Sequence, residues 1–200
     1  MAANQPSLFD QPPDAPEGFD YAADFITPAE EAGLAERLGR LDFQPFQFHG
    51  FEGARRVVSF GWRYDFNQGG LQPAAAFPDW LRALAERAAD FARLPQHRFV
   101  HALLTEYAPG AGIGWHRDRP QFEDVVGISL LSPCRMRFRL RTADGWRRVN
   151  VPVAPRSAYL LRGPARQLWE HSIPPMATLR YSITFRSFRA DVRSRLPEES

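Results

Sequence analysis

The sequence predicts a mainly β fold with flanking helices, in which two antiparallel sheets form a double-sheet jelly roll. Three observations lead to this prediction. The first half of the chain contains two segments with helical spacing of apolar residues, and the second half consists of short alternating segments separated by turn signals. With 44% hydrophobic residues, a chain of 200 residues can bury one sizeable core. Many short strands at regular spacing are typical of double-sheet folds.

The chain divides into one domain between two tails. Residues 1–20 are rich in Pro, Asp and Gln, a composition that predicts a mobile N-terminal tail. No internal repeat and no second hydrophobic unit follows. We therefore expect a single domain over residues 21–190 and a C-terminal tail over residues 191–200.

Two helices are predicted from capping residues and apolar spacing. Thr27 as N-cap, Pro28 at the first helical position and Glu30 three residues after the cap form a capping box. A second helix is expected over about residues 79–94. Each helix has one apolar side, formed by Leu34, Leu38 and Leu41 in the first and by Leu81, Leu84, Ala88 and Phe91 in the second.

The remaining segments predict strands. Residues 47–66 are rich in aromatic residues and arginine, and glycines interrupt them at intervals typical of a hairpin. Later strands are expected at about residues 98–107, 124–132, 135–142, 146–152, 157–162, 168–173 and 179–188.

The strongest functional signal is a set of metal-ligand residues. His116 and Asp118 follow an apolar strand and a Pro-Gly turn, and residues two apart on an extended segment point to the same side. His171 lies on a short predicted strand that can bring it across the barrel. Two imidazoles and one carboxylate can hold a ferrous ion by one face and leave positions open for a chelating cosubstrate and dioxygen. This pattern predicts an oxygenase.

The last predicted strand alternates strictly between polar and apolar residues. One face carries two arginines that would project into the barrel, where a cation needs an anionic partner. The residues of this face are Arg180, Ser182, Thr184 and Arg186.

Together these residues resemble the AlkB family of iron(II)- and 2-oxoglutarate-dependent dioxygenases, over roughly residues 95–190. The resemblance implies the double-stranded β-helix fold of that family and the cofactors Fe(II), 2-oxoglutarate and O2. It implies that His116, Asp118 and His171 hold the iron and are the catalytic residues. It also implies that 2-oxoglutarate binds at Arg180, Arg186 and Tyr107, and at Thr105 and Ser182, which stand where the family often has Asn.

The resemblance also implies a reaction, the oxidative demethylation of 1-methyladenine or 3-methylcytosine in DNA or RNA. The products would be formaldehyde, succinate and CO2. Pro120 stands where DNA-repair members carry an acidic residue that contacts the damaged base, so the substrate is less defined than the chemistry. One alternative is a 2-oxoglutarate-dependent hydroxylase of a protein or small molecule. Another is a non-catalytic nucleic-acid or clamp-binding module.

The resemblance implies that residues 47–66 form the family's substrate lid. Trp62 and Tyr64 share one face of the expected strand and are candidates to stack on a flipped base, although packing on the core is an equal alternative. Arg55 and Arg56 are candidates to contact phosphates, with simple solvation as the alternative.

A second arginine-rich pattern lies on the strand near residue 138. Four arginines alternate with apolar residues, so all four must share the outer face of one strand. They could track a phosphate backbone, or they could be balanced by acidic residues on neighbouring strands, which we favour. These residues are Arg135, Arg137, Arg139 and Arg141.

Composition limits the cellular setting. No apolar run approaches a membrane span, no signal peptide is visible, and the lone Cys134 cannot form an internal disulfide. We therefore expect a cytoplasmic protein. A net charge of +2 is too small to prove a nucleic-acid partner, and no exposed heptad argues for assembly, so we expect a monomer.

The N-terminal tail contains a short motif of its own. It resembles the peptide with which bacterial proteins dock on the DNA sliding clamp, although Pro6 breaks the pattern. A disordered segment can fold into such a groove at low affinity. The residues that carry the motif are Gln5, Ser7, Leu8 and Phe9.

Overall fold

The computed structural model describes residues 14–48, 51–64 and 71–193. In chain order, its strands are β1 (Phe19–Ala22), β2 (Gln44–Phe48), β3 (Phe51–Tyr64), β4 (Leu71–Pro73), β5 (Phe99–Tyr107), β6 (Ile113–His116), β7 (Phe122–Leu130), β8 (Cys134–Thr142), β9 (Gly145–Val153), β10 (Ala158–Leu161), β11 (Glu170–Ile173) and β12 (Arg180–Phe188). The helices are α1 (Pro28–Gly39), α2 (Asp79–Phe91), α3 (Gly163–Gln167) and α4 (Ala190–Arg193).

The strands form two sheets. The large sheet has the order β1-β10-β7-β12-β5-β3-β2, with β4 paired to β3, and the small sheet has the order β6-β11-β8-β9. The named strands of both sheets pair antiparallel. This is the mainly β, two-sheet arrangement with flanking helices that the sequence predicts.

Two apolar layers hold the fold together. Leu38 of α1 and Leu81 of α2 pack with Leu104 and Ile183 of the large sheet, so the helices cover one face of that sheet. The second layer lies between the sheets and includes Phe138 of β8. Successive strand residues point to opposite faces, so each central strand of the large sheet has one face toward the helices and one toward the small sheet.

The start of α1 is confirmed in detail. The Thr27 hydroxyl accepts a hydrogen bond from the Glu30 amide (3.2 Å), and the Glu30 carboxylate accepts one from the Thr27 amide (2.7 Å). Both bonds satisfy amide groups that the first helical turn leaves without backbone partners.

The structure corrects the expected N-terminal boundary. β1 lies partly inside the span 1–20 that was expected to be a tail, and it pairs with β10. Phe19 is fully buried and stacks on Tyr159, with ring centroids 6.3 Å apart. The burial of one aromatic ring therefore fixes a segment whose Pro- and Asp-rich neighbours suggest disorder. At the other end, α4 begins at Ala190 and extends into the expected C-terminal tail.

Other boundaries differ slightly. α2 ends at Phe91, three residues before the expected end, with Ala92 as its C-cap. The short helix α3 was not predicted, because five residues are too few for an apolar period to show.

The expected hairpin over residues 47–66 is formed by β2 and β3, and β2 begins at Gln44. Gly61 lies where β3 leaves its partner β5 and pairs instead with β4. Its φ of +75° and the Val100 carbonyl oxygen, 2.1 Å from where a Cβ would stand, together require glycine.

Candidate active site

A cavity of about 1650 Å³ lies between the two sheets and extends to the β2–β3 hairpin. Its walls are polar on the large sheet because the inward faces of β5 and β12 carry mostly polar side chains. Cross-strand pairing sets these side chains opposite one another, with Thr105 against Ser182 and His101 against Arg186. The alternation that the sequence predicts for β12 therefore supplies one wall of the cavity.

The three predicted metal ligands meet on the small-sheet side of the cavity. β6 pairs with β11 so that His116 lies opposite His171, and their ring centroids are 4.2 Å apart. Asp118 follows two residues after the end of β6. Its Oδ2 is 3.9 Å from Nε2 of His171.

Hydrogen bonds select which atoms of these residues remain open. Nδ1 of His116 is 2.9 Å from the Gly114 carbonyl oxygen, and a carbonyl only accepts, so Nδ1 donates and Nε2 keeps its lone pair. Oδ1 of Asp118 accepts from Nη2 (2.9 Å) and Nε (3.2 Å) of Arg186. The open atoms are thus Nε2 of His116 and Oδ2 of Asp118.

The protonation states suit metal binding. Burial lowers the pKa of His116 and, together with the neighbouring His116 charge, lowers the pKa of His171 to about 3. Burial opposes ionisation of Asp118, but Arg186 and the two histidines outweigh it and hold its pKa well below the ordinary range. Neutral imidazoles and an ionised carboxylate are the forms that ligate metals.

The three side chains lie close to one another without enclosing a complete metal site. Within the described ranges, no group of three His, Cys, Asp or Glu residues has the mutual positions of a complete metal site. The donor set fits iron because it combines two neutral imidazoles with one carboxylate, the set used by non-haem Fe(II) oxygenases. Arg186 holds one oxygen of Asp118, so only the other oxygen of that carboxylate is open to an ion.

Arg180 is the second unusual feature of this region; it is not one of the residues that line the cavity, but it lies beside Tyr107, which is. Arg180 is fully buried, and its Nε donates to the Ser129 hydroxyl at 3.0 Å. Its Nη1 and Nη2 are buried and have no hydrogen-bond partner among the described residues, and its guanidinium lies 5.1 Å from the ring centroid of Tyr107. A buried guanidinium with two open nitrogens matches a carboxylate that accepts two parallel hydrogen bonds.

Tyr159 of β10 closes this end of the cavity. Its ring lies against Gly127, where a Cβ atom would come within 2.2 Å of Tyr159 Cζ. Burial raises the pKa of Tyr159 to about 12, against the opposing charge of Arg180, so its hydroxyl stays protonated and can donate. Only glycine at position 127 leaves room for this ring.

The four candidate substrate-binding residues of the hairpin, Arg55, Arg56, Trp62 and Tyr64, differ in their surroundings. Arg55 lines the cavity, whereas Arg56 forms an ion pair with Glu106 at 2.7 Å. Trp62 is absent from the cavity walls that the described residues form, and it packs edge-on against Phe188. These contacts favour core packing for Trp62. The side chain of Tyr64 lies outside the described part of the structure.

Several cavity residues escaped the sequence analysis. Phe46 of β2 lines the cavity with the guanidinium of Arg55 3.7 Å from its ring centroid. His101 stacks on Phe122, and its Nδ1 is 3.4 Å from Arg186 Nη1. The alternation of β5 could have placed His101 beside Thr105 and Tyr107, but no local signal marks Phe46.

Comparison with known proteins agrees with this geometry. The profile of the 2OG-Fe(II) oxygenase superfamily matches residues 21–186, so the chain belongs to this superfamily. It is an AlkB-like dioxygenase whose cofactors are Fe(II), 2-oxoglutarate and O2. The resemblance to AlkB, the enzyme class and the cofactors that the sequence analysis inferred are confirmed.

Three relatives illustrate the similarity. The chain is 26% identical to the uncharacterized protein L905 of Acanthamoeba polyphaga mimivirus, covering 85% of this chain and 84% of that protein. It is 28% identical to the alkylated DNA repair protein ALKBH8 homolog of Arabidopsis thaliana, with 84% of this chain and 54% of the relative covered. It is also 28% identical to the alpha-ketoglutarate-dependent dioxygenase AlkB of Escherichia coli, over 58% of this chain and 57% of AlkB. The chain thus spans about half the length of the latter two.

Solved structures confirm the jelly-roll fold. The structure of OsALKBH1 matches with a TM-score of 0.65 at 16% identity, covering 85% of this chain and 96% of that chain. A Pseudomonas putida prolyl-4-hydroxylase matches with a TM-score of 0.58 at 18% identity, over 86% and 93% of the two chains. Both similarities concern the fold alone.

Among the described residues, no helix is both long enough and apolar enough to cross a membrane.

Proposed function

We propose that this protein demethylates N-alkylated bases in DNA or RNA, with 1-methyladenine and 3-methylcytosine as the substrates to test first. His116, Asp118 and His171 would hold iron. Arg180 would bind the distal carboxylate of 2-oxoglutarate. The remaining cosubstrate contacts would come from Arg186, Tyr107, Thr105 and Ser182.

One observation carries the proposal, the position of Arg55. This hairpin arginine lines the same cavity as the metal ligands, and its charge contributes to lowering the pKa of His116. Burial lowers the pKa of Arg55 itself, and its guanidinium covers the ring of Phe46. A cation at the hairpin side of the cavity that contains the predicted metal ligands would suit contact with the phosphate of a base placed in that cavity.

The chain's own residues would perform four tasks. Arg180 and Tyr159 would fix one end of 2-oxoglutarate, and Thr105 and Ser182 would line its length. Arg186 would keep Asp118 ionised and oriented with one oxygen toward the metal. The β2–β3 hairpin would act as the substrate lid over residues 47–66 and would exclude water from the closed cavity.

When bound, iron, 2-oxoglutarate and O2 supply the oxidation that converts an N-methyl group to N-hydroxymethyl, which leaves as formaldehyde while 2-oxoglutarate becomes succinate and CO2. The protein contributes orientation, because a methyl group fixed beside the metal reacts far faster than one that is free to turn.

A hydroxylase of a protein or small molecule is the second candidate. It is favoured by Pro120, which offers no acceptor to a base, and by the fold shared with prolyl hydroxylases. The superfamily match argues against a non-catalytic binding module, because that match supports an enzyme.

Three further proposals concern clamp binding, the oligomeric state and the cellular location. The clamp-binding residues Gln5, Ser7, Leu8 and Phe9 lie outside the described residues, and clamp binding is tested by titrating a peptide of residues 1–12 against a purified sliding clamp. Absence of saturable binding would contradict it. A monomeric state is checked by sedimentation, and a cytoplasmic location by cell fractionation.

The deciding experiment presents three substrates to the anaerobically reconstituted protein. A 1-methyladenine oligonucleotide, a 3-methylcytosine oligonucleotide and a proline-containing peptide are mixed with Fe(II) and 2-oxoglutarate, and air is then admitted. We expect each oligonucleotide to lose the mass of one methylene while the peptide is unchanged, and His116→Ala to abolish the loss. A gain of one oxygen on the peptide alone would favour the hydroxylase.

A further inference from the structure

The outer face of the small sheet carries arginine and tryptophan side chains. Met136 and Phe138 of β8 point into the core between the sheets, so the residues that alternate with them point outward. β9 adds Arg148 opposite Arg139, and Trp146 opposite Arg141, on the same outer face. We call this set the Arg-Trp face; it comprises Arg135, Arg137, Arg139, Arg141, Trp146 and Arg148.

Acidic side chains balance little of this charge. Glu170 of β11 pairs with Arg139, and Arg137 donates to the Ser172 hydroxyl at 3.0 Å. In the part of the chain that the structure describes, Arg135, Arg141 and Arg148 form no ion pair, and all three are exposed. The sequence analysis favoured acidic residues on neighbouring strands as partners for these arginines. Among the described residues, Glu170 is the one carboxylate that pairs with them.

Two indole rings are interleaved with the guanidinium groups. Arg139 lies 4.6 Å from the ring centroid of Trp115 and 4.4 Å from that of Trp146, and Arg141 lies 5.4 Å from Trp146. These cation–π contacts, together with the ion pair of Arg139, hold one ring of β6 and one ring of β9 on the two sides of Arg139. The result is two flat apolar surfaces beside a row of cations.

The Arg-Trp face is continuous with the active-site cavity. Trp115, which contacts Arg139, precedes the metal-ligand residue His116 directly, and both Trp115 and Glu170 line the cavity. Along β8, the seven residues from Arg135 to Arg141 span on the order of 20 Å at the usual rise of an antiparallel strand. A strand of nucleic acid that placed one base in the cavity could follow this face.

We propose that the Arg-Trp face binds the single strand of DNA or RNA that flanks the base in the active site. The inference rests on the proposed function and assigns it a path for the substrate strand. Cations without carboxylate partners attract a phosphodiester backbone, and aromatic planes accept unpaired bases of any sequence. The binding would be sequence-blind and strongly dependent on salt.

The test compares two triple variants of equal charge change in the full-length, iron-loaded protein without oxygen. Binding of fluorescent, unmodified single strands of about 16 nucleotides is followed by anisotropy over a range of salt. For Arg135→Gln/Arg141→Gln/Arg148→Gln we expect at least about tenfold weaker binding at low salt. The slope of log affinity against log salt should fall by about 2, since each lost phosphate contact removes about 0.7.

The control is Arg37→Gln/Arg40→Gln/Arg82→Gln. Of these exposed arginines, Arg37 lies on α1, Arg40 is its C-cap and Arg82 lies on α2, and the two helices cover the face of the large sheet that is turned away from the small sheet. We expect less than about a twofold change, because these arginines are remote from the Arg-Trp face and act on a bound strand through net charge alone. Equal weakening by both triple variants would overturn the proposal, as would competition by polyglutamate as effective as that of an oligonucleotide of equal charge, which would indicate an acidic protein partner instead.

Activity measurements separate this proposal from the proposed function. With a methylated trinucleotide, too short to reach along β8, the variant on the Arg-Trp face should keep the wild-type KM, whereas the KM for a long methylated strand should rise about tenfold. If wild type and the variant have equal KM values for the long strand and equal anisotropy, the Arg-Trp face does not bind the strand. That result would not affect the proposed demethylation. Altered anisotropy without demethylation of any substrate would support the face and contradict the proposed function.

Discussion

The two ends of the active-site cavity are built in different ways. At the end lined by Tyr107 and Tyr159, pairing of β5 with β12 sets polar side chains opposite one another, and the Arg180 guanidinium is buried beside these rings with two nitrogens that have no hydrogen-bond partner among the described residues. At the hairpin end, Arg55 and Phe46 project from two strands at the edge of that sheet. We propose that the buried end holds one small anion, whereas the edge would accommodate different substrates through changes in the hairpin. Chemistry is therefore defined more sharply than substrate.

The largest effect is expected at the buried end. Arg180→Met removes the guanidinium that would bind 2-oxoglutarate, so we expect its affinity, measured by calorimetry, to fall at least about 100-fold, a loss of about 2.7 kcal/mol. Without cosubstrate, however, the variant should be more stable than wild type in urea by about 1–3 kcal/mol, because buried donors without partners are costly. Unchanged 2-oxoglutarate affinity would contradict the assignment of Arg180 to cosubstrate binding.

The substitution Gly127→Ala tests the packing of Tyr159 at the buried end. The added Cβ of Gly127→Ala would lie 2.2 Å from Tyr159 Cζ, so the ring must move into the cosubstrate end. We expect a loss of about 1–3 kcal/mol in the free energy of unfolding. Gly127→Ala combined with Tyr159→Ala should lose less than the sum of the two single changes. Full additivity in urea unfolding would show that the clash does not determine stability.

Acid should lower the free energy of unfolding of the metal-free protein. The titrating groups are the buried histidines between the two ends of the cavity. The folded pKa of His171 is about 3 against 6.5 for an ordinary histidine, so between these values the unfolded chain binds the proton and the folded chain does not. Stability should therefore fall as the pH drops through 6.5, by up to about 1.4 kcal/mol per pH unit for one such group. Urea unfolding at pH 7 and pH 5 measures the difference, and His171→Phe should reduce it. An equal slope in the variant would contradict the assignment.

The smallest effect is expected at the hairpin end. Arg55→Ala should raise the KM for a methylated oligonucleotide about tenfold and leave the affinity for 2-oxoglutarate within about twofold, because this residue would contact substrate phosphate only. The neighbouring Arg56→Ala is a matched control, since Arg56 is engaged by Glu106 and should change the KM by less than about twofold. A larger effect of Arg56→Ala on the oligonucleotide KM would reverse the roles assigned to the pair.

The contrast also explains what could be predicted from the sequence. Alternation on β12 has a period that local geometry fixes, so the polar face of that strand follows from the chain alone. His116 lies on β6, but Asp118 follows two residues after the end of that strand, so its place beside His171 depends on the loop and on its ion pair with Arg186. The role of Trp62 depends on whether the residues beyond Gly61 face the cavity or the core, and only tertiary contacts with Phe188 decide that. Phe46 reaches the cavity through the pairing of β2 with β3, which leaves no local signal.

The stoichiometry of a single reaction tests the central claim most directly. The reconstituted protein is supplied with Fe(II), limiting 2-oxoglutarate, air and an oligonucleotide carrying 1-methyladenine or 3-methylcytosine, and succinate and formaldehyde are counted. Our account predicts one formaldehyde per succinate, with both products abolished by Asp118→Ala. Succinate without formaldehyde, at a rate unchanged by the methylated oligonucleotide, would contradict nucleic-acid demethylation.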